Sequence, residues 1–400
     1  MKILQICNKM PYPPNDGGAI ATLNVSKSFC ELGHEVTILS LNTKKHYSEL
    51  SKIPEELKKI IRFIPVDIDT TIKSNLALKN LLFSSLPYNA QRFICENFKN
   101  KLITLLCSEK FDIIQIEGLY MGLYIETIKK YSTAKIALRA HNIEHEIWKR
   151  TYLLEKNILK RQYLIILTNR IKRLKKRLLN SYDLLVPITN RDEQFFKEFG
   201  NTKPSHVTPI GININESKED FSNIEYPSVF HLGALDWAPN QEGIIWFLKN
   251  IWKGLKEKNP ELNFYIAGRN APDWFVNKIK CDGVVYHGEI DNAYEFINSK
   301  AVMVVPLLSG SGMRVKIIEG LALGKTIVST SIGAEGIDIT HNQNIIIADS
   351  TKSFKDSLNT VLTNKIVFEN IGKNAVKFAH EYYDNLNIAK SLIDFYSKNM

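Results

Sequence analysis

Ala301-Val302-Met303-Val304-Val305-Pro306-Leu307-Leu308-Ser309-Gly310-Ser311-Gly312-Met313-Arg314-Val315-Lys316-Ile317-Ile318-Glu319-Gly320-Leu321-Ala322-Leu323-Gly324-Lys325-Thr326-Ile327-Val328-Ser329 decides the fold class. It reads as a buried strand over 301–305, a Gly/Ser loop, a helix over 312–323 and a second strand over 326–329. An apolar run without alternation suits a strand covered on both faces, as in a parallel sheet. The same alternation extends in both directions. Strands are expected at 228–232, 263–267, 284–287 and 344–347, with helices at 240–258 and 291–299. In the first half, strands are expected at 2–7, 35–41, 61–66, 112–116, 134–138 and 183–187, with a helix at 19–32 closed by Gly33. Repeated strand–helix alternation predicts an α/β fold of two doubly wound, Rossmann-like domains. Three more helical patterns, 352–364, 367–382 and 386–399, follow the last strand.

A polar stretch at 215–223 reads as a linker, placing the boundary near 211–226. The expected domains are 1–211 and 212–382, with a helix over 383–400 returning to the first. Two such halves imply a cleft between them, with ligands at the carboxyl ends of the strands.

The chain has 400 residues, ample for large cores without disulfides. Its five cysteines are scattered, with no metal-ligand spacing, so reduced thiols and a cytoplasmic setting are expected. No window is apolar for long enough to span a membrane. Lys and Arg number 52 against 42 Asp and Glu, for a net charge of +10 that suits anionic partners.

Four loops and one helix are candidates for function. After the first strand, Asn8 to Ala19 ends in Gly17-Gly18, where backbone N–H groups at a helix start can meet an anion or a sugar hydroxyl. After the fifth strand, Arg139-Ala140-His141-Asn142-Ile143-Glu144-His145-Glu146 sets His141 at a strand end. His141 and His145 lack the H-E-x-x-H arrangement, so a metal pair is disfavoured. In 306–325, Arg314 and Lys316 can neutralise a phosphate, and the Glu319 carboxylate can accept two hydrogen bonds from ribose hydroxyls; a pairing of Glu319 with Lys316 is the plainer alternative. Asp67-Ile68-Asp69 is a short match to a diphosphate–metal motif and is expected by chance. From 156 to 180 there are nine basic residues and no acid. This basic amphipathic helix either lies on an anionic membrane face or presents a solvated basic side over a buried stripe. With no aromatic platform beside the charge, nucleic acid is not expected.

Taken together, the chain resembles the nucleotide-sugar glycosyltransferases of family 4, which have the two-Rossmann GT-B fold. Pro13-Pro14-Asn15-Asp16-Gly17-Gly18 matches the glycine-rich first loop. Gly33-His34-Glu35-Val36, Phe111-Asp112-Ile113-Ile114 and Pro209-Ile210-Gly211-Ile212-Asn213 match later signatures. So do Glu319 to Val328 and Gly333-Ala334-Glu335-Gly336-Ile337. The resemblance implies retaining transfer of a sugar from a nucleoside diphosphate donor, without metal or cofactor, to a glycan or lipid-linked glycan in cell-surface polysaccharide synthesis. It implies that Glu319 holds the ribose, Gly17 and Gly18 face the diphosphate and acceptor, and His141 contacts the donor sugar. Gly233 would border the donor, and His287, Gly288 and Ile290 would bracket its base. The leaving phosphate would accept the acceptor's proton, and the terminal helices would brace the first domain.

Two departures stand out. The glutamate expected eight residues before Glu319 is Ser311, leaving contact with the donor sugar to Ser311, Gly312 and Met313. The Arg and Lys expected after the first strand of the second domain are missing from 233–243, and Arg314 and Lys316 are expected to replace them. A nucleotide-sugar epimerase of the same fold and a non-catalytic nucleotide-binding relative are the alternatives. A nicotinamide enzyme is disfavoured because no G-x-G-x-x-G follows the first strand.

Overall fold

The structure is a computed structural model, and it describes residues 1–214, 222–310 and 312–400. The chain divides into two compact units, Met1–Ile210 with Asn385–Met400, and Gly211–Asp384. Part of the expected linker and Ser311 lie outside the described residues.

The first unit holds a six-stranded sheet. Its strands are β1 (Lys2–Cys7), β2 (Glu35–Thr43), β3 (Ile61–Ile68), β4 (Ile113–Glu117), β5 (Lys135–Ala140) and β6 (Leu184–Pro187), in the order β3-β2-β1-β4-β5-β6. The second unit holds β7 (Glu225–Leu232), β8 (Phe264–Ala267), β9 (Val284–Gly288), β10 (Lys300–Val305), β11 (Thr326–Ser329) and β12 (Ile346–Ile347), in the order β12-β11-β10-β7-β8-β9. Every pairing is parallel. Numbered within its own unit, each sheet is 3-2-1-4-5-6, the Rossmann order, so its switch point lies beside its first strand. The expected fold class is therefore present twice. β12 is shorter than the expected strand.

Burial explains the unbroken apolar strands. Ile3, Leu4, Ile6, Ile113, Ile114 and Ile116 are completely buried at the centre of the first sheet, as are Val302, Met303, Val304 and Val305 in the second. Helices cover both faces, so the alternation of a half-exposed sheet is absent.

The C-terminal helix Asn385–Lys398 packs on the helix Gly17–Glu31, and Tyr396 donates a 2.7 Å hydrogen bond to Gln115 of β4. Only this last helix joins the first unit. The helices Thr351–Thr363 and Lys365–Tyr382 belong to the second.

In the helix Ile158–Leu178 the apolar stripe is buried, as the second of the two expected readings has it. Leu164, Leu167, Ile171, Leu174 and Leu178 lie in the core of the first unit. Lys175 is buried as well, 2.8 Å from the Glu144 carboxylate and beside the Phe195 and Phe196 rings.

Candidate active site

Each sheet carries functional side chains at its carboxyl edge. In the first unit, a cavity of about 300 Å³ is lined by residues that include Lys9, Asp16, Gly18, Glu117, His141 and Glu144. Glu117 closes β4 and is buried. His141 Nε2 stands 2.5 Å from its carboxylate, the Arg139 guanidinium lies 3.8 Å away, and Thr22 and Gln115 donate to it. Burial by itself would raise the Glu117 pKa, but the Arg139 charge and the hydrogen bonds from His141 and Gln115 outweigh it and hold it at about 2. An ionised Glu117 can only accept, so Nε2 of His141 carries the proton between them and Nδ1 is the ring nitrogen left for another partner. Nδ1 is buried and has no partner among the described residues. Lys175 steadies the same loop through Glu144 and, at 3.4 Å, the Asn142 carbonyl.

The glycine-rich turn differs from its expected use. Gly17 and Gly18 do open a helix, but Asp16 caps it. Its carboxylate accepts from the Gly18 and Ala19 N–H groups at 3.0 and 3.1 Å and pairs with Lys9 at 2.5 Å. Burial opposes ionisation of Asp16, but Lys9 prevails and lowers its pKa. The anion at these two N–H groups is thus the chain's own. His145, the other histidine of the suggested metal pair, packs against Phe195 and Phe199, and burial together with Lys175 lowers its pKa to about 4. Asp67 accepts from Asn42, while Asp69 is held by Thr71, Lys44 and Lys73.

In the second unit, Lys316 lies in the first turn of the helix Val315–Ala322, and its side chain reaches back to the end of β7. Its Nζ is 3.0 Å from Asn240 Oδ1 and 3.1 Å from His231 Nε2. His231 Nδ1 donates to the Val304 carbonyl at 2.9 Å, so Nε2 is the acceptor that receives Lys316. Burial and the neighbouring Lys316 charge keep His231 neutral, its pKa far below the usual range. Gly233 backs onto the group: a Cβ there would stand 2.9 Å from Asn240 Nδ2 and 3.0 Å from Lys316 Nζ. A cation from the 306–325 segment therefore occupies the loop whose own cations are missing. Burial, aided by Arg314, pulls the Lys316 ammonium down to about 7.

Arg314 caps this helix and sits over Trp237 at 5.3 Å; its guanidinium donates to the Gly312 carbonyl. Gly310, at φ +115°, makes room for the stack, since a Cβ would lie 2.8 Å from Arg314 Nη2 and 3.1 Å from the indole. Met313, next to Arg314, is buried. The Glu319 carboxylate has no ion pair or hydrogen bond with a described residue, Lys316 included, and desolvation lifts its carboxyl to about 7. His287 and Gly288 end β9 and Ile290 follows; the exposed His287 ring packs near Tyr265 and Phe296, and the Gly288 carbonyl accepts from Gly268 at 2.8 Å.

Gly233, Lys316 and Arg314 thus meet in one unit, and Gly18 and His141 in the other. Sequence reasoning missed Glu117, His231, Asn240 and Trp237. A buried polar residue at a strand end (Glu117 in 113–117, His231 in 225–232) is the signal that could have found the first two.

Residues 226–364 match the family model described as Glycosyl transferases group 1. The fold is GT-B, and the second unit is similar in sequence to the group 1 glycosyl transferases. The chain is also 26% identical, over 98% of both chains, to an uncharacterized 44.6 kDa protein in the cps region of Klebsiella pneumoniae. Among solved structures, sucrose-phosphate synthase from Thermosynechococcus elongatus superposes with a TM-score of 0.73 at 13% identity, covering 100% of this chain and 99% of that one. Anabaena HepE in complex with UDP gives 0.69 at 13% identity, covering 100% of both chains.

Proposed function

We propose that the protein is a retaining glycosyltransferase that moves a sugar from a nucleoside diphosphate donor to a glycan or lipid-linked glycan, in cell-surface polysaccharide synthesis. The observation that carries this reading is the second-unit cluster, where a half-buried cation and a half-buried carboxylate, the latter without a partner among the described residues, stand on one short helix. A diphosphate supplies the charge that Lys316 lacks, and vicinal ribose hydroxyls supply the donors that Glu319 lacks. Arg314, stacked on Trp237, adds a second cation. The solved complexes of HepE with UDP and UDP-glucose and the cps setting of the Klebsiella relative support the donor class and the pathway.

In this reading Lys316 and Arg314 stabilise the departing diphosphate as negative charge builds on it. The leaving phosphate takes the acceptor's proton, so no protein base is assigned. His141, fixed by Glu117, accepts a hydroxyl proton of the donor sugar in a hydrogen bond through Nδ1, and Gly17 lies close by. Gly233, Gly312 and Met313 line the donor side, His287, Gly288 and Ile290 flank the base, and Ser311 takes the place of the glutamate. No metal is assigned a role.

The test is a thermal-shift panel of UDP, GDP, ADP, dTDP and CMP, each with and without EDTA, followed by release of the nucleoside diphosphate from the matching nucleotide sugar. A ligand at about 100 times its dissociation constant adds about 2.7 kcal/mol of stability. One EDTA-insensitive responder is the expected result. No responder well above millimolar concentration overturns the reading.

A further inference from the structure

A second cavity in the first unit, of about 590 Å³, is lined by Lys9, Lys44, Lys45, His46 and Arg92 and, among the described residues, by no carboxylate. It opens at the carboxyl ends of three adjacent strands: Asn8 follows β1, Thr43 ends β2, and Thr70 and Thr71 come just after β3. Open parallel sheets bind ligands at such ends. The Glu117–His141 cavity shares Asn8 and Lys9 with it.

The positive charge here is only partly compensated. Lys9 pairs with Asp16, and the exposed Lys44 lies 3.7 Å from Asp69. Lys45 has no carboxylate partner among the described residues. Arg92 donates to the Thr70 carbonyl at 2.6 Å, which holds its guanidinium at the wall, while its Nε is buried and unpartnered among the described residues.

The rim of this cavity is apolar. Ile72, 67% exposed, and Phe93 line it. The helix Ser74–Phe83 begins two residues after Ile72 and leaves Leu76, Leu78, Leu82 and Phe83 exposed, the last two at 65% and 81%. Single exposed apolar side chains are ordinary, whereas five within twelve residues beside a cationic cavity are not.

We propose that this cavity takes the phosphoryl group of an amphiphilic acceptor, whose apolar chain leaves over Ile72 along the helix Ser74–Phe83. The inference rests on the glycosyltransferase reading and identifies its acceptor as a phosphate-bearing lipid. A free phosphate or sugar phosphate would use the cations and leave the apolar rim bare.

The test measures binding to the full-length protein by calorimetry. The probes are decyl phosphate below its micellar concentration, inorganic phosphate and decanol, with the responding nucleotide measured separately. Decyl phosphate is expected to bind at least about 30-fold more tightly than inorganic phosphate, and decanol is expected not to saturate. Lys45→Ala, at an exposed position where folding is not at risk, is expected to weaken decyl phosphate about fivefold, and Arg92→Gln about tenfold or more. Ile72→Ser is expected to weaken decyl phosphate and leave inorganic phosphate unchanged. Equal affinity for decyl phosphate in wild type and Lys45→Ala overturns the site. Equal affinity for decyl phosphate and inorganic phosphate overturns the amphiphile, and decanol binding as well as decyl phosphate overturns the phosphoryl group. Nucleotide affinity is expected to stay unchanged in all three variants. Failure of wild type to bind any nucleotide would sink the glycosyltransferase reading by itself, whatever the alkyl phosphate result.

Discussion

The two units share one strand order and put opposite electrostatics at their strand ends. In the first, Glu117 is buried among partners, and Arg139, His141 and Gln115 hold it ionised with a pKa near 2. In the second, Glu319 is half-buried, without such partners among the described residues, and its carboxyl rises to about 7. Burial acts in the same direction on both. Neighbours decide the outcome, because a buried carboxylate stays charged only where donors and cations replace its water. The first unit's carboxylate is therefore spent on orienting a histidine. The second unit's carboxylate and its neighbour Lys316 are left in deficit, a deficit a ligand can fill.

This contrast is open to attack at several points. The largest effect is expected from Glu117→Gln. Removing one member of a buried charged group costs about 3–5 kcal/mol, because the other is left unpaired. The variant should lose Tm steeply and lose transfer rate, while nucleotide affinity, read by calorimetry, stays near wild type. Loss of nucleotide affinity in the folded variant would break the division between the two clusters.

Glu319→Ala removes two hydrogen bonds to a charged group, about 1.5–3 kcal/mol each, so nucleoside diphosphate affinity should fall by about a hundredfold or more. The 2′,3′-dideoxy nucleotide should bind wild type and variant alike. Sensitivity of the dideoxy compound to the substitution would deny the ribose role.

Lys316→Met should weaken the nucleoside diphosphate about tenfold or more and leave the unphosphorylated nucleoside unaffected. The pH profile sharpens this. Below about 7 Glu319 gains a proton and loses acceptor strength; above about 7 free Lys316 loses its charge. Nucleotide affinity should therefore peak near neutrality and fall on both sides, with proton uptake on binding above pH 7. The alkaline fall should vanish in Lys316→Met. The folded-state pKa of Glu319 lies above its unfolded value, so Glu319 costs stability as pH rises through 4.5 to 7. Glu319→Gln should then raise Tm at pH 8 and do little at pH 4.

The smallest effect is expected from Trp237→Ala. A cation–π contact is worth about 0.5–2 kcal/mol, so loosening Arg314 should cost a few-fold to about thirtyfold in diphosphate affinity. An unchanged affinity would remove Arg314 from the site.

Most of the fold was legible because strand and helix patterns are local. The βαβ unit at 301–329 reads directly, since apolar β-branched runs and Gly-rich breaks report backbone preference and burial together. Helix limits were less legible. Arg314 was expected within a helix that begins at Gly312, whereas it caps one that begins at Val315. Asp16 was read as part of a glycine-rich turn, but its side chain occupies the helix end that the glycines expose. The nine basic residues of 156–180 looked alike, yet only packing separates Lys175, buried against Glu144 and two rings, from its solvated neighbours.

The sequence by itself determined the alternation of elements, the two doubly wound sheets and the segments that follow each strand, because these depend on periodicity and backbone chemistry along the chain. Tertiary structure alone decided which charges are satisfied. Glu117 meets His141 across 24 positions, and Lys316 meets His231 across 85. Such pairings depend on sheet order and helix placement, and desolvation acts on a side chain only once distant parts of the chain have closed around it.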